Sequence, residues 1–472
     1  MIAILKKKLL KTLYVPLSGL LCCCFHACSL DYPLEDKISD PGAIDRLSVA
    51  RELLNTAYLR SFKDLSTLAM LGDDFGPTRY SAQFMSSQFW LWKPEEISVS
   101  ANNLWPDAYQ AISTANTFLQ RADEIEVKGE QEESELRKLR GEALAIKAWN
   151  YYILLRLYAP NIKEAPKADA IVLRNTDRPT QEGRSSVEQV YSHLDSLTTE
   201  AATLLAEGGT DGSNVHGAFF NSSAMWALQT ELAVDREEWQ DALTYGEQLL
   251  SRYTQLDADT YTALWKTNGY QSNESVMALG THSEIWTTIE YQSPLYGRSS
   301  ALNIASDIIN SYSEEDLRRQ TLLPDTNGGY TIGKYRTKFF ETEFYPIHLF
   351  RTARILLLCA EAAYRLGDQD KARSYLNRLQ EARQSPLSQG SGKTLWIAIQ
   401  AEFRKELVGE WYRFFDLKRW RSELKHPINT SGTEVLDIQA SDYRWVWPIP
   451  NAEIVQSEGK IQQNPNWIHY EE

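Results

Sequence analysis

The chain has 472 residues, 43% of them hydrophobic and 24% charged, and this composition predicts a packed globular core. Its net charge is −14, without a run of Lys or Arg beyond the N-terminus, so nucleic acid is not an expected partner, because phosphate binding needs a positive surface. Four of the five cysteines lie between Cys22 and Cys28, which excludes a disulfide framework or a cysteine zinc site in the body of the chain.

The first 27 residues are typical of a targeting signal. A segment with four lysines precedes an apolar stretch from Leu13 to about Phe25, which is too short to span a membrane comfortably. Ala27 stands directly before Cys28, an arrangement that resembles a bacterial lipoprotein signal with cleavage before Cys28 and lipid attached to it. A plain secretory signal is the alternative. Acidic residues follow, similar to those that send some lipoproteins to the cell surface: Asp31, Glu35 and Asp36.

The rest of the chain has a mainly helical pattern. Apolar residues recur at three and four positions in 136–159 and 185–205. Two segments, 222–252 and 350–383, look like copies at a constant offset of 130, and the second resembles a tetratricopeptide repeat. Two looser helical pairs are predicted, 44–62 with 105–126 and 134–158 with 185–206. The prediction is an all-α fold of about four tetratricopeptide-like pairs.

Long segments with helix-breaking composition separate these pairs. They are 63–104, 160–184, 254–343, 385–393 and 421–472, and 63–104 and 254–343 are rich in aromatic and polar residues. Compact domains seldom contain such long irregular segments without a function. We therefore expect one domain, 28–472, whose insertions at 63–104 and 254–343 bind a ligand.

Motifs for several enzyme classes are absent or incomplete. The segment QGSGKT (389–394) lacks the first glycine of a phosphate-binding loop, and Leu387 stands in its place. The chain has no HExxH and no GxSxG, so neither a protein-made zinc site nor an esterase is expected. No metal and no cofactor are predicted.

The segment RKELVGEWYRFFDLKRW (404–420) contains a carboxylate pair, Glu406 and Glu410, that could serve in a hydrolase. An apolar stripe argues for a packed helix instead, formed by Phe403, Leu407, Trp411 and Phe414. Charges of alternating sign step by three along the same segment and predict pairing of each with the next: Glu410, Arg413, Asp416 and Arg419. We expect a structural helix without catalytic residues.

This segment also resembles the C-terminal signature of the SusD/RagB family of outer-membrane nutrient-uptake lipoproteins. Matching residues are Arg404, Glu406, Leu407, Glu410, Arg413, Phe415, Asp416, Leu417, Arg419 and Trp420. The ending WPIPNAEIVQS…QQNPNW is similar to that of the family, so the signature region is 394–472. Segments 104–119 and 141–159 are similar as well, although Gly141 replaces a residue usual in the family.

The resemblance implies a surface-exposed lipoprotein of the outer membrane, anchored through Cys28. Such a protein would bind an oligosaccharide or polysaccharide and deliver it to a SusC-like TonB-dependent transporter, without cleaving it. The alternatives are a peptide-capturing, RagB-like member of the same family and a glycoside hydrolase.

Sugars present apolar C–H faces and a rim of hydroxyls, so aromatic platforms with polar neighbours are the expected ligand residues. The family has no positional motif for them, and our placement rests on residue type alone. In the first insertion the candidates are Trp90 and Trp92, with Asp73, Asp74, Arg79 and Asn102. In the second they are Trp286, Tyr291 and Tyr296. Trp90 and Trp92 would share one face if that stretch were extended.

Overall fold

A computed structural model describes residues 44–61, 65–81, 86–176, 182–207, 217–266, 268–281, 290–293, 297–326, 328–334 and 345–467. Fourteen α-helices lie in the described part of the chain. They are α1 (Leu47–Ser61), α2 (Ser86–Trp90), α3 (Pro94–Arg121), α4 (Gly129–Tyr158), α5 (Val187–Glu207), α6 (Ser222–Asp235), α7 (Trp239–Arg252), α8 (Ala258–Leu264), α9 (Ser306–Ser311), α10 (Thr352–Arg365), α11 (Gln369–Ala382), α12 (Gly392–Leu407), α13 (Arg413–Arg419) and α14 (Asn451–Gln456).

Helices dominate the fold, as predicted, and they form four packed pairs: α1 with α3, α4 with α5, α6 with α7, and α10 with α11. Neighbouring pairs also pack on one another, through α3 on α4, α5 on α6 and α7 on α10. The fold therefore has the stacked, tetratricopeptide-like arrangement expected from the sequence. None of the described helices is both long and apolar enough to span a bilayer.

The offset of 130 residues between the two repeats holds for their helix boundaries. Helix α6 begins at Ser222 and α10 at Thr352, while α7 begins at Trp239 and α11 at Gln369. A close contact joins the two copies, because a Cβ on Gly246 of α7 would lie 2.4 Å from Sγ of Cys359 in α10. Cys359 is fully buried, and burial raises the pKa of its thiol, so it acts as a small core residue.

In the described part of the chain, the short strands lie between the two helices of the first pair, between the third and fourth pairs, and after the fourth pair. They are β1 (Phe75–Pro77), β2 (Ser275–Thr281), β3 (Glu290–Ser293), β4 (Gly297–Ser300), β5 (Leu302–Ile304), β6 (Leu322–Pro324), β7 (Tyr330–Ile332), β8 (Tyr345–Arg351), β9 (Leu424–Pro427) and β10 (Val435–Ile438). All five strand pairs are antiparallel: β1 with β5, β2 with β8, β3 with β4, β6 with β7 and β9 with β10.

One boundary of the first insertion differs from its prediction. Helix α3 begins at Pro94, within the stretch that was predicted to be irregular up to residue 104. Pro94 has the backbone angle of a helix start, and the first turn carries Glu95 and Glu96, which suit the positive end of the helix dipole. Pro106 lies inside the helix without ending it.

The C-terminal signature does not form the single helix predicted for it. Helix α12 ends at Leu407, Gly409 has φ +73°, and α13 begins at Arg413. A left-handed residue stops an α-helix, and glycine adopts it without the penalty of a Cβ. The stripe residues Phe403, Leu407, Trp411 and Phe414 are nonetheless all buried, as expected for scaffold.

The prediction that each charged residue of this segment pairs with the next is also only partly correct. Arg419 Nε donates to Asp416 Oδ1 over 2.9 Å, as predicted. Glu410, however, accepts from Arg351 Nη2 at 2.8 Å and from Lys334 Nζ at 2.7 Å, while Arg413 pairs with Asp73. The turn at Gly409 rotates Glu410 away from Arg413, so pairing by sequence spacing fails at that point.

Candidate functional site

The two tryptophans predicted as sugar platforms are fully buried. Trp90 ends helix α2 and stacks on His426 with ring centroids 4.3 Å apart, and Trp92 has φ +55° and packs edge-on against Trp445 at 4.6 Å. The stretch is thus a short helix and a turn, and not extended. Neither ring presents a face to solvent, so their prediction as stacking platforms is wrong, and both belong to the core.

The paired aspartates of the first insertion attach it to the C-terminal signature. Arg413 donates to both carboxylate oxygens of Asp73, over 2.6 and 2.9 Å, and Arg404 Nε lies 3.6 Å from Oδ1 of Asp74. Asp74 is fully buried and accepts a 3.3 Å hydrogen bond from the amide of Gly409. The two carboxylates therefore hold the insertion in place. The full burial of Asp74 contradicts its prediction as a ligand contact, whereas Asp73 is partly exposed and its assignment stays a prediction.

The pKa values of Asp73 and Asp74 are shifted in opposite directions. Burial acts to raise the pKa of Asp73, but the adjacent Arg413 guanidinium and its hydrogen bonds outweigh burial and lower that pKa to about 2. Burial raises the pKa of Asp74 to about 6, with a contribution from the negative charge of Asp73 and opposition from Arg413. Two adjacent carboxylates in one electrostatic field seldom ionise equally, because the second charge must form beside the first.

Two of the predicted ligand residues are exposed. Arg79 follows β1, and its guanidinium carbon lies 4.8 Å from the ring centroid of Tyr80. Asn102 lies exposed on α3. Their assignment as ligand contacts stays a prediction. Trp286, Tyr296 and the side chain of Tyr291 lie outside the described residues.

The structure brings the two predicted insertions together. Strand β1 of the first insertion pairs with β5 of the second, with Gly76 opposite Asn303. Thr78 Oγ1 donates to the carbonyl of Ser300 over 2.6 Å, and Ser81 Oγ donates to the carbonyl of Ala301 over 2.6 Å. Residues 222 positions apart in the chain thus form one joint surface.

Asn303 of β5 lies in this joint surface, opposite Gly76. A Cβ on Gly76 would meet no atom of the described residues within 4 Å, so the floor of the surface is open at Gly76. On the other side β5 packs on β7, and a Cβ on Gly329 would contact the Asn303 amide nitrogen at 2.1 Å. Oδ1 of Asn303 is buried and accepts no hydrogen bond within the described residues. A buried unpaired acceptor beside open space is suited to a ligand hydroxyl.

We call this surface the insertion face and define it by Gly76, Arg79, Tyr80, Asn303 and Tyr330. Tyr80 and Tyr330 are half-buried and can offer ring surface. Asn303, Tyr80 and Tyr330 were not identified from the sequence. The only sequence signal for these residues was the position of Tyr80 next to Arg79. The pairing of Gly76 with Asn303 depends on long-range strand contacts, which the sequence pattern does not reveal.

The carboxylate pair Glu406 and Glu410 lacks the environment of a catalytic acid. Both side chains are fully buried, and Glu406 accepts hydrogen bonds from Arg351 at 2.6 Å and from Arg383 at 3.0 Å. Burial would raise the pKa of Glu406, yet the charges of Arg383, Arg351 and Arg318 lower it well below its ordinary range. A general acid needs the opposite shift, so the pair is structural in this fold, as expected.

No group of three or more His, Cys, Asp or Glu side chains with the arrangement of a metal site occurs in the described part of the chain.

Two family models match the chain. Residues 211–467 match the model described as the SusD family, and residues 35–231 match one described as starch-binding associating with outer membrane. A curated relative, SusD-like protein P38 of Formosa agariphila, is 33% identical over 131 residues. That match covers 25% of this chain and 24% of the relative's length.

Solved structures share the fold over nearly their whole length. A putative sugar binding protein from Bacteroides vulgatus aligns with a TM-score of 0.74 at 20% identity, covering 90% of this chain and 99% of that one. A SusD superfamily protein from Bacteroides fragilis aligns with a TM-score of 0.74 at 22% identity, covering 88% and 99%. A SusD-like carbohydrate binding protein from Bacteroides vulgatus aligns with a TM-score of 0.70 at 19% identity, covering 88% and 97%.

Proposed function

The chain belongs to the SusD family, and we propose that it is a cell-surface lipoprotein that binds an oligosaccharide on the insertion face and delivers it to a TonB-dependent outer-membrane transporter. The protein holds its ligand without cleaving it. The observation that carries the binding site is Asn303, whose buried Oδ1 lies without a hydrogen bond from the described residues beside the open floor at Gly76.

The residues around Asn303 supply both kinds of contact that a sugar needs. The rings of Tyr80 and Tyr330 can cover apolar C–H faces, while the exposed guanidinium of Arg79 and the amide of Asn303 can bond hydroxyls. Because Arg79 already lies over Tyr80, its side chain has lost part of its conformational entropy before the ligand binds. Binding then costs less entropy. Trp286, Tyr291 and Tyr296 remain proposed contacts from the second insertion.

The scaffold gives this face a rigid support. Asp73 ties the start of β1 to Arg413, and Lys334, just after β7, donates to Glu410. Both anchors belong to the C-terminal signature, which therefore positions the insertions without contacting ligand. This arrangement agrees with a binding protein, since no carboxylate pair on the insertion face has the accessible, raised-pKa geometry of a glycosidase among the described residues.

Calorimetry of the wild-type protein with neutral oligosaccharides tests the binding role. The panel would be maltoheptaose, cellohexaose, xylohexaose, mannohexaose and laminarihexaose, with a tryptic peptide mixture beside it. Asn303→Ala and Arg79→Ala should each weaken saccharide binding about tenfold, the effect of losing one hydrogen bond to a polar or charged group. The exposed Arg137 on α4 provides a matched control, Arg137→Ala, which should bind as wild type.

Each other outcome of this experiment has a definite meaning. Peptide binding without saccharide binding would support the RagB-like alternative. Release of reducing sugar from the panel would establish a hydrolase. Unchanged affinity in both Asn303→Ala and Arg79→Ala would remove the insertion face as the site.

The anchor and the partner require separate experiments in cells. Growth with an alkyne fatty acid should label the wild-type protein and leave Cys28→Ala unlabelled. Affinity purification from detergent-solubilised outer membrane should recover a TonB-dependent transporter with the wild-type protein. Absence of both the label and the transporter would contradict the proposed location.

A further inference from the structure

A groove lies away from the insertion face, where the loop after α4 meets the end of α13. It consists of two cavities, of about 260 and 200 Å³, that share Asn161 and Arg421 in their walls. Together they fall in the range of about 300–1,000 Å³ typical of small-molecule sites. None of the ligand residues predicted from the sequence lines either cavity.

Aromatic side chains and charged side chains of both signs line the larger cavity. Trp239 and Trp420 line it and are half-buried. Glu361 on its floor lies 2.7 Å from Arg419 Nη2 and accepts a 2.9 Å hydrogen bond from the indole of Trp420. Four basic and three acidic side chains line this cavity, so its net charge is small and it favours a neutral polar ligand over a strongly charged one.

The smaller cavity repeats this combination. Half-buried Tyr443 lines it beside the hydroxyl-bearing Ser422 and Ser441. Its carboxylate, Asp442, is already paired with Arg444 at 2.7 Å. Each cavity therefore offers ring surface together with polar groups and paired charges, which suits the mixed surface of a sugar ring.

Arg421 separates the two cavities and has an unusual backbone. Its φ is +52°, a left-handed conformation after a helix end where glycine is the usual residue. An arginine there costs about 1 kcal/mol relative to glycine. Its side chain reaches Glu164 at 2.8 Å and Glu237 at 3.7 Å, one acid on each side of the groove. Strained residues of this kind concentrate at functional sites.

We propose that this groove is a second saccharide-binding site, which takes two neighbouring units of a neutral oligosaccharide, one in each cavity. Arg421 and the amide of Asn161 bond hydroxyls at the junction, and Trp239 and Tyr443 face the sugar units. A peptide is less suited to the groove, because none of its lining residues belongs to a strand whose edge could pair with an extended chain. The inference shares only its class of ligand with the proposed function.

The test uses Arg421→Gly, a variant chosen because it relieves the backbone strain and should not unfold the protein. We expect wild-type protein to bind two molecules of an oligosaccharide from the panel above, or one long chain at both sites. Arg421→Gly should weaken the second binding event about tenfold, since it removes a charged hydrogen-bond donor, while the melting temperature stays the same or rises. Trp239→Ala should weaken the same event.

The exposed Arg365 provides a comparison on the same rim, because it lines only the larger cavity. Arg365→Ala should therefore affect binding less than Arg421→Gly. Unchanged binding by both Arg421→Gly and Trp239→Ala, with binding weakened by Asn303→Ala, would overturn the groove and leave the proposed function intact. Failure of wild-type protein to bind any saccharide would overturn both, and a peptide found in the groove by crystallography would overturn the ligand class.

Discussion

Arg351 Nη1 donates a 2.6 Å hydrogen bond to Oε1 of Glu406, and neither side chain has any exposed surface. The two residues come from the end of β8 and the end of α12, so this bond joins the strand that follows the second insertion to the C-terminal signature. Arg383 Nη2 lies 3.0 Å from the same oxygen and also donates to Glu274. A buried carboxylate thus satisfies several buried guanidiniums together.

Glu406→Gln should destabilise the protein by about 3–5 kcal/mol, because removal of one charge leaves its buried partners uncompensated. Urea unfolding followed by circular dichroism measures the change. The control is Glu423→Gln, which removes a surface partner of Lys425 and should cost less than about 1 kcal/mol. A loss for Glu406→Gln as small as that of the control would contradict the structural role.

Gly409→Ala should be much more destabilising than Gly432→Ala, although both glycines have positive φ, +73° and +68°. A Cβ on Gly409 would lie 1.9 Å from Cδ1 of Ile332, whereas a Cβ on Gly432 meets nothing within 4 Å. The left-handed backbone alone costs about 1–2 kcal/mol, and overpacking adds about 1–3 kcal/mol at Gly409. Thermal and urea unfolding of both variants should reveal this difference, and equal losses would refute the close approach.

Gly246→Ala should destabilise the contact between α7 and α10, although alanine is the better helix former by about 1 kcal/mol. The added methyl would meet Sγ of Cys359 at 2.4 Å. Cys359→Ala should restore much of the loss in the double variant, because it removes the obstructing sulfur. A double-mutant cycle in urea measures the coupling, and strictly additive effects would show that the two residues are not in contact.

Asp74→Asn should change how stability depends on pH. The pKa of Asp74 is about 6 in the fold, against about 3.9 in an unfolded chain. Between these values the folded state binds the proton more tightly, so this group makes stability fall as the pH rises from about 4 to about 6. Asparagine does not titrate. The free energy of unfolding of the Asp74→Asn variant, relative to that of the wild-type protein, should therefore rise across that window, by about 2–3 kcal/mol at most.

Unfolding in urea at pH 4, 5, 6 and 7 measures this difference. Asp73, with a pKa of about 2, stays ionised throughout, and Arg413, whose pKa is raised by Asp73, stays charged in both proteins. His348, whose burial lowers its pKa to about 4, titrates equally in both and cancels from the difference. A flat difference over this range would contradict the raised pKa of Asp74.

Trp90→Ala should lower the free energy of unfolding by about 3–5 kcal/mol, as expected for removal of a large buried ring. Asn102→Ala, on the exposed side of α3, should change stability by less than about 0.5 kcal/mol. Urea unfolding separates the two cases. Full stability of Trp90→Ala would show that the ring is not part of the core.

The sequence alone determined the scaffold, because helical pairing depends on periodicity within short segments. The boundaries of α6 and α10 could be anticipated from the repeat, and so could the burial of Glu231 and Glu361 at equivalent positions. The motif in residues 404–420 identified the family for the same reason, since it is a local pattern that matches without knowledge of the fold.

Only the tertiary structure decided which residues are accessible. Trp90 and Arg79 lie eleven positions apart in the same insertion. The ring of Trp90 is buried against His426, whereas the side chain of Arg79 is exposed. Glu410 could pair with Arg413 by spacing, but the turn at Gly409 directs it to Arg351. Strand pairing places Gly76 opposite Asn303. The groove at Arg421 lies where α13 ends. Such contacts depend on long-range packing free energy, which residue type and spacing do not encode.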